Sequence, residues 1–549
     1  MKITPLSAVL PAALVVSALA AGCGGGSGSG AGGASATASA DTTTATAITR
    51  GGTLRFGDTV VDCADPHQRG NNPSSYQLKP VTDSLLAQDP KTGRFLPWLA
   101  TAYTVNDSAT KFTFTLRQGV TFSDGTPLDG QAVADSIDAI VNKLGAAASL
   151  PIGYLNNYKD AKATGANTVE VDFSKPNIAF LQGTATTNLG IVSEATSKLS
   201  AEQRCAKGVV GTGPFVITKF TPAQSLAYKR RADYQWANPL GKNRGPAYLD
   251  GLQIVSIKDT SVLANSLLSN QIDAYSVVLP QDAGRIDQSG GHVYTTTNAG
   301  YPVAILPNVK GTIFSDPAVR QALQIGFDRK QAISGVIGDW FHASTSALSS
   351  TTVGYKDLST DLAADPARAE QLLDAAGWKK GPDGIRVKDG KKLKFDVTWE
   401  IDWNATSSVL AAVKEQLKKI GFELDINLVP SGQSAAIYKS GKFDSRWVNG
   451  YTPEPDTLRA VLAVDAGNWS NRASKDELDG LLQKQVQQVD PTQRNATLAQ
   501  IQQQLVKEGY LIPIYDWAQS FAVSSKVHGA QLLYLSGPGP LYSDIWLSH

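Results

Sequence analysis

Cys23 divides the chain into a short leader and a long body. The apolar run over 10–21 is too short to cross about 30 Å of hydrocarbon as a helix. Small residues over 20–22 precede the cysteine, as is typical of a signal-peptidase site. We therefore expect a cleaved signal peptide over 1–22, and the folded body must form from the residues after Cys23.

The segment over 24–47 consists of Gly, Ser, Ala and Thr with a single charge, Asp41. Such a composition buries too little apolar surface to offset its chain entropy, so we expect a flexible linker over 23–49. A cysteine between a leader and a tether resembles the bacterial lipobox, whose thiol receives a diacylglyceryl group. The resemblance predicts that Cys23 is lipidated and anchors the protein on the outer face of the cell membrane. The alternative is an ordinary signal peptide followed by an unmodified cysteine.

About 500 residues follow the linker, which is too many for one hydrophobic core, so we expect two or more lobes. No other apolar run is long enough to span a bilayer. The formal net charge is +1, from 50 basic and 49 acidic residues. This balance lacks the basic excess of nucleic-acid-binding proteins, and we expect no nucleic-acid partner.

Two cysteines remain once Cys23 is assigned to a lipid. Cys63 and Cys205 would lie in an oxidising compartment, where two remaining thiols usually bond. We expect a disulfide between them, with two free buried thiols as the alternative. Acidic and histidine residues close to Cys63 resemble a zinc site, but an oxidised cysteine is not a ligand. We expect no metal.

Apolar periodicity in the first half of the body indicates a small α+β subdomain over about 74–193. The predicted elements of the subdomain are strands over 111–116 and 168–173, a short return strand over 120–122 that pairs with 111–116, and a helix capped by Asp129 that extends to Leu144. A strand over 53–59 precedes the subdomain and opens the folded body.

The second half of the body has the pattern of a βαβ unit. Asp316-Pro317 and Asp365-Pro366 are typical helix starts. A strand over 392–400, a helix over 407–420 and a strand over 422–428 follow one another at the spacing of such a unit. We therefore expect a partly parallel sheet.

The common signatures of catalysis are missing from the sequence. The five histidines are scattered, with no HExxH motif, no GxSxG elbow and no phosphate-binding glycine loop. Glu454 and Asp456 form a carboxylate pair, but spacing alone does not place two acids on one substrate bond. We expect that the protein is not an enzyme and needs no cofactor.

A series of short stretches, in order along the chain, carries a family resemblance. They are GGTLRF at 51–56, LPWLA at 96–100, KFTFTLRQGV at 111–120, FSDGTP at 122–127, GTGPF at 211–215, LSNQID at 268–273, DPAVRQA at 316–322, FDR at 327–329, LLDAAGW at 372–378, GKFD at 441–444 and IPIY at 512–515. Together they resemble the large extracytoplasmic solute-binding proteins of ABC importers, family 5, the oligopeptide- and dipeptide-binding type.

The resemblance implies an α/β fold of two lobes, of the periplasmic-binding-protein type II kind, with a subdomain inserted in the first lobe. We expect lobe I over 50–290 and 511–549 and lobe II over 291–510. Two crossing segments would serve as a hinge for closure around a ligand. The implied partners are a peptide or other small solute and the permease with its ATPase subunits. We expect a monomer.

The resemblance also implies a ligand anchor in lobe II. In the dipeptide-binding branch, a carboxylate four or five residues before a Pro-Asp pair holds the amino terminus of the peptide. Pro455 and Asp456 supply the pair here, which puts Tyr451 in the carboxylate position. A phenol carries no charge at neutral pH, so this departure removes the counter-charge for a free amine. Glu454 resembles the structural acid beside the proline.

The candidate ligand contacts come from both lobes. They are Trp447, Asn449 and Tyr451 on a loop facing the cleft, Trp403 and Asn404 between a strand and a helix, and Asp65 and Asn72 after the first strand. Each residue has packing or capping as its alternative role. An aromatic cleft also suits sugars, so a saccharide receptor and a surface sensor without transport remain alternatives to peptide import.

Overall fold

The computed structural model describes residues 47–69, 72–148, 151–400, 406–430, 432–535 and 539–548. Cys23, Trp403 and Asn404 lie outside these ranges. Residues from Ile48 to His549 form one compact unit. Within it, two large mixed sheets each carry a hydrophobic core.

The first large sheet, sheet I, has seven strands. Their spatial order is His292–Thr297, Ala518–Val523, Ala274–Ser276, Thr53–Asp58, Gly251–Ser256, Ser225–Arg230 and Phe215–Thr221. Thr53–Asp58 lies parallel to both of its neighbours. Leu54 and Phe56 of this strand are fully buried, as their alternation predicts.

The second large sheet, sheet II, has six strands. Their spatial order is His342–Ala343, Ile512–Asp516, Gly300–Pro307, Ser445–Tyr451, Lys394–Trp399 and Glu423–Leu428. Lys394–Trp399 and Glu423–Leu428 are parallel and are joined by the helix Thr406–Lys419. The predicted βαβ unit is therefore present, because the apolar face of that helix packs on the sheet.

The chain crosses between the two sheets twice. It leaves sheet I after Thr297 and enters sheet II at Gly300, and it returns between Asp516 and Ala518. These crossings differ from the lobe boundaries expected at 290/291 and 510/511. The reason is that His292–Thr297 pairs with Ala518–Val523 in sheet I, whereas Ile512–Asp516 pairs with Gly300–Pro307 in sheet II.

A four-stranded antiparallel sheet forms the inserted subdomain. Its order is Ala100–Val105, Lys111–Leu116, Thr168–Phe173 and Tyr158–Gly165. The return strand expected over 120–122 is wrong. Lys111–Leu116 already has a partner on each side, and Thr121 forms only a single bridge to Pro127.

The helices surround these sheets. In lobe I they are Asn72–Leu78, Gly130–Ala139, Pro151–Tyr154, Phe180–Gly183, Glu194–Ser197, Ala201–Lys207, Thr260–Leu268 and Pro280–Gln288; in lobe II they are Pro317–Ile325, Arg329–Ile333, Pro366–Ala375, Thr406–Lys419, Ser434–Ser440, Thr457–Leu462, Glu477–Gln485 and Pro491–Glu508. Asp129, Asp316 and Asp365 cap helices through their side chains, as expected. The α-helix capped by Asp129 ends at Ala139, and a wider π-helical turn follows it from Ile140 to Leu144.

Small two- and three-stranded sheets complete the fold. They pair Leu86–Gln88 with Phe95–Pro97, Val527–His528 with Trp546–Leu547, Leu532–Leu533 with Gly539–Pro540, and Arg386–Lys388 with both Lys379–Lys380 and Lys391–Lys392. The strand Leu532–Leu533 directly precedes Tyr534, whose carbonyl oxygen accepts a hydrogen bond from Tyr451.

Candidate functional site

The two crossings run side by side. The backbone N–H of Asn298 donates a hydrogen bond of 2.8 Å to the carbonyl oxygen of Trp517, so each crossing braces the other. Gly300, just past the first crossing, pairs with Tyr451. The crossings therefore place Tyr451 of lobe II next to the last residues of sheet I.

Tyr451 reaches across the cleft. Its hydroxyl donates a hydrogen bond of 2.5 Å to the carbonyl oxygen of Tyr534 in lobe I. The Tyr534 hydroxyl in turn donates to the carbonyl oxygen of Pro90, at 2.9 Å, which holds the acceptor residue in place. A second hydrogen bond joins the lobes: the N–H of Ile178 in lobe I donates to the carbonyl oxygen of Val486 in lobe II at 3.1 Å. The structure therefore has its lobes in contact.

Tyr451 is electrically neutral in this position. Burial raises the pKa of its phenol well above the ordinary value, and the neighbouring phenols of Tyr154 and Tyr76 raise it further. The hydroxyl therefore remains protonated at physiological pH. It can donate or accept a hydrogen bond, but it cannot neutralise an ammonium group.

Glu454 does not supply the missing charge at this place. Its carboxylate is buried and paired with Arg494, whose Nη1 lies 3.3 Å from Oε2 while Nη2 contacts Oε1. The same carboxylate accepts a hydrogen bond of 2.9 Å from the N–H of Asp456. These contacts satisfy the acid within lobe II, which agrees with its expected structural role.

Trp447, Asn449 and Tyr451 lie on the strand Ser445–Tyr451 and not on a loop. They are alternate residues, so they share one face of sheet II. Asn449 is exposed, whereas Trp447 is partly buried and its ring lies 6.3 Å from that of Tyr515. The strand persists because Gly300–Pro307 pairs with it along its length.

Asp65, a predicted ligand contact, lies in the interior of lobe I. Its side chain is fully buried, and its Oδ2 lies 2.9 Å from Nε of Arg204. Its Oδ1 accepts a hydrogen bond of 3.0 Å from the N–H of His67. A buried arginine needs a counter-charge, and Asp65 serves that need within lobe I.

The segment around Asp65 is also fixed covalently. Cys63 and Cys205 form a disulfide, with Cα atoms 4.5 Å apart. The N–H of Ala64 donates to the carbonyl oxygen of Cys205 at 2.9 Å. The bridge joins the segment after the first strand of sheet I to the helix Ala201–Lys207. Asn72 opens the next helix along the chain, Asn72–Leu78.

Tyr76 and Gln519, which the motifs did not mark, contact each other near the second crossing. The Tyr76 hydroxyl donates a hydrogen bond of 3.1 Å to Oε1 of Gln519. The Tyr76 ring stacks with Phe56 and Phe521 at centroid distances of 6.1 and 5.9 Å. The sequence marks Gln519 only as a polar residue shortly after the IPIY stretch at 512–515. Tyr534 had none, because its role depends on a contact 83 residues away in sequence.

Metal-binding clusters and membrane-spanning helices are both missing from the part of the chain that the structure describes. Within those ranges, no group of three or more His, Cys, Asp or Glu side chains could hold a metal ion. Among the same residues, no helix combines the length and apolar character needed to cross a membrane.

Comparison with known proteins identifies the family. A family model described as bacterial extracellular solute-binding proteins, family 5 Middle, matches residues 94–471. The chain belongs to this family. It is a solute-binding protein of an ABC importer, a class that acts outside the cytoplasm.

Relatives of this family-5 protein differ in the ligands that their names state. It is 26% identical over 440 residues to the nickel-binding periplasmic protein of Escherichia coli, covering 77% of this chain and 81% of the relative. It is 26% identical over 476 residues to the glutathione-binding protein GsiB of Salmonella typhimurium, covering 82% and 86%. The oligopeptide-binding protein AppA of Bacillus subtilis, solved with a nonapeptide, matches with a TM-score of 0.70 at 21% identity, covering 92% of this chain and 100% of AppA.

Proposed function

We propose that this family-5 protein captures peptides or peptide-like ligands between its lobes and passes them to its permease as a lipid-anchored monomer. The observation that carries the ligand class is the free edge of the strand Ser445–Tyr451. On one side this strand pairs with Gly300–Pro307. On its other side Val397 and Thr398 pair only with its first two residues. From Trp447 onward, the described part of the chain supplies no partner on that side.

A strand edge of this kind suits an extended peptide. Main-chain groups of the ligand would pair with alternate residues of the edge and give affinity that does not depend on ligand side chains. Tyr451 is the last residue of this strand, lies beside the hinge and contacts lobe I. The same residue would therefore take part in both ligand binding and lobe closure. The named ligands of GsiB and AppA are consistent with this class.

We infer that a permease recognises the loaded receptor by its closed lobes. Closure is a rigid-body movement about the crossings at 298–299 and 517, and a ligand that binds both lobes favours the closed form. The ligand is carried and not converted, so it should be recovered unchanged. Residues Trp403 and Asn404, outside the described ranges, stay candidates for ligand contact, as does Asn72.

Native mass spectrometry of the protein, purified from its own cells without refolding, tests the ligand class. A bound mass series spaced by amino-acid residues supports a peptide receptor. One discrete non-peptide mass, such as an oligosaccharide, contradicts it and assigns the protein to that solute. Conversion of the released ligand to products on incubation with fresh protein would contradict the receptor role itself.

A further inference from the structure

Four buried polar side chains at one edge of sheet I have atoms that lack partners. The atoms are Asp58 Oδ2, Ser276 Oγ, Gln519 Nε2 and Asn298 Oδ1, and none has a hydrogen-bond partner among the described residues. The four residues are between 0% and 5% exposed. A buried polar atom without a partner is costly, and a cluster of them in a folded protein calls for an explanation.

Strand register puts three of these residues on neighbouring strands and on one face of sheet I. Ser276 pairs with Phe521, and Gln519 lies two residues before Phe521 on the same face. Phe56 and Gly57 pair in parallel with Ala274 and Tyr275, so the same register continued by one residue sets Asp58 beside Ser276.

Asn298 extends the row on the far side. Gln519 pairs with Thr296, and the ladder continues through the hydrogen bond from the N–H of Asn298 to Trp517. Because alternate residues share a face, Asn298 lies on the side of the sheet that carries Gln519. The order across four neighbouring strands is therefore Asp58, Ser276, Gln519 and Asn298, with strands spaced about 4.8 Å apart.

This row lies at the edge of sheet I from which the chain crosses to lobe II. The chain leaves sheet I directly after Asn298 and re-enters it directly before Gln519's strand, Ala518–Val523. The row is also the carboxyl end of the parallel strands Thr53–Asp58 and Ala274–Ser276, the edge at which ligands bind in open α/β sheets. Tyr451 lies across the crossing, paired with Gly300.

Asp58 is the only acid in this row, and no cation among the described residues balances its charge. Its Oδ1 accepts a hydrogen bond of 2.7 Å from the N–H of Thr59, and hydrogen bonds from the N–H of Val60 and from Gln77 also favour the carboxylate. Within the described ranges Asp58 forms no ion pair. Burial raises the pKa of Asp58 to about 6, although hydrogen bonding by the neutral Gln77 opposes the shift, so the acid is mainly ionised at neutral pH. The nearby Tyr76 and Tyr542 are phenols and bring no positive charge.

We propose that Asp58, at the lobe-facing edge of sheet I, binds a positively charged ammonium group of the ligand, with Ser276 Oγ as a second acceptor. Gln519 Nε2 donates to the carbonyl oxygen that follows the ammonium, and Asn298 Oδ1 accepts from the next amide N–H. The order of acceptors and donor across the row matches the amino-terminal end of a peptide. The counter-charge that Tyr451 does not supply in lobe II is then supplied by lobe I.

This inference rests on the proposed peptide ligand, and one experiment separates the two. The probe is a casein digest in which half of the peptides carry an isotopically labelled acetyl group on their amines. The protein, purified as its cells process it, is mixed with the digest, and bound peptides are identified by native mass spectrometry. We expect free-amine peptides to be enriched about thirtyfold or more over acetylated ones, as loss of a buried charge pair implies.

Variants test the residue assignment. Asp58→Asn keeps the shape of the side chain and should remove the preference for free amines, while Ser276→Ala should reduce it severalfold. Asp62→Asn, an exposed acid in the same segment that pairs with Arg69, should keep the wild-type preference. The thermal midpoint of ligand-free Asp58→Asn should be unchanged or higher, because an uncompensated charge is removed; a purely structural role would lower it.

Each remaining outcome is decisive. Binding of both peptide classes without preference, or a preference that survives in Asp58→Asn and Ser276→Ala, overturns the Asp58 assignment and leaves the peptide proposal standing. Binding of neither class overturns the peptide proposal and the Asp58 assignment together.

Discussion

The hydroxyl of Tyr451 in lobe II donates a hydrogen bond of 2.5 Å to the backbone carbonyl oxygen of Tyr534 in lobe I. Tyr451→Phe removes this hydrogen bond and should destabilise the closed form relative to the open form by about 1 kcal/mol. The closed-to-open ratio should therefore fall about fivefold. Small-angle X-ray scattering should show a larger radius of gyration, with little change in thermal midpoint. Tyr103→Phe, which removes a surface hydroxyl, is the control. A Tyr451→Phe protein as compact as wild type would contradict a role for this bond in closure.

The disulfide should leave no free thiol in the folded body. Labelling of the unfolded, unreduced protein with a maleimide should modify neither Cys63 nor Cys205. The bridge spans 142 residues of sequence, and its reduction should lower the free energy of unfolding by about 2–5 kcal/mol. Urea unfolding with and without reductant measures this difference. Two labelled cysteines in the unreduced protein would rule the bridge out.

Asp65 should be a stability residue. Asp65→Asn leaves the buried guanidinium of Arg204 without its counter-charge, and we expect a loss of about 3–5 kcal/mol in the free energy of unfolding. Asp62→Asn, which breaks the exposed pair with Arg69, should cost less than about 1 kcal/mol. Equal losses in urea titrations of the two variants would refute the distinction between buried and exposed pairs.

Asp83 should make stability fall as pH rises through the acidic range. Burial raises its pKa to about 7, although hydrogen bonds from Trp236 and Tyr234 oppose the shift. Between about pH 4 and about pH 7 the folded state keeps a proton that the unfolded state has lost, so this group's contribution declines with pH by up to about 1.4 kcal/mol per unit.

The side chain introduced by Asp83→Asn cannot titrate, so the variant should lack the decline in the free energy of unfolding with rising pH that Asp83 causes. The variant's free energy of unfolding minus that of wild type should grow between about pH 4 and about pH 7 and level off above. Urea unfolding at several pH values measures the difference, with the exposed Asp107→Asn as the control. A difference that is constant with pH would show that Asp83 is not protonated in the folded state.

Cys23 should decide whether the protein stays on the membrane. If its thiol carries the lipid, wild-type protein should sediment with membranes, and Cys23→Ser should release it, because no other anchor is expected in the mature chain. Immunoblots of the two fractions measure the partition. Mass spectrometry of the amino-terminal peptide supplies the second readout, and an unmodified Cys23 in membrane-bound protein would contradict the proposal.

Much of the secondary structure was predictable because its signals are local. Phe112, Phe114 and Leu116 alternate in the sequence and are buried together in the strand Lys111–Leu116. Asp316 precedes a proline and caps the helix that begins there. By contrast, the strand pairing predicted at 120–122 is wrong, because a short apolar pair does not reveal that other strands already occupy both edges of Lys111–Leu116.

The candidate site was only partly predictable. The Pro455-Asp456 anchor predicts Tyr451 as a ligand contact, and the structure places that residue at the contact between the lobes. Asp65, in contrast, was expected near ligand and instead balances the charge of Arg204, which lies 139 residues away. No local pattern distinguishes an acid that meets a ligand from one that meets a distant arginine.

The sequence by itself determined the family, the two-lobed class of fold and the helix and strand starts, because motifs, caps and apolar periods act between near neighbours. Only the tertiary structure decided where the chain crosses between the sheets and which polar groups end beside the cleft. Asp58 and Gln519 lie more than 400 positions apart, yet sheet register puts them in one row. The row forms because strands far apart in the sequence pair with one another, and no local sequence pattern encodes that pairing.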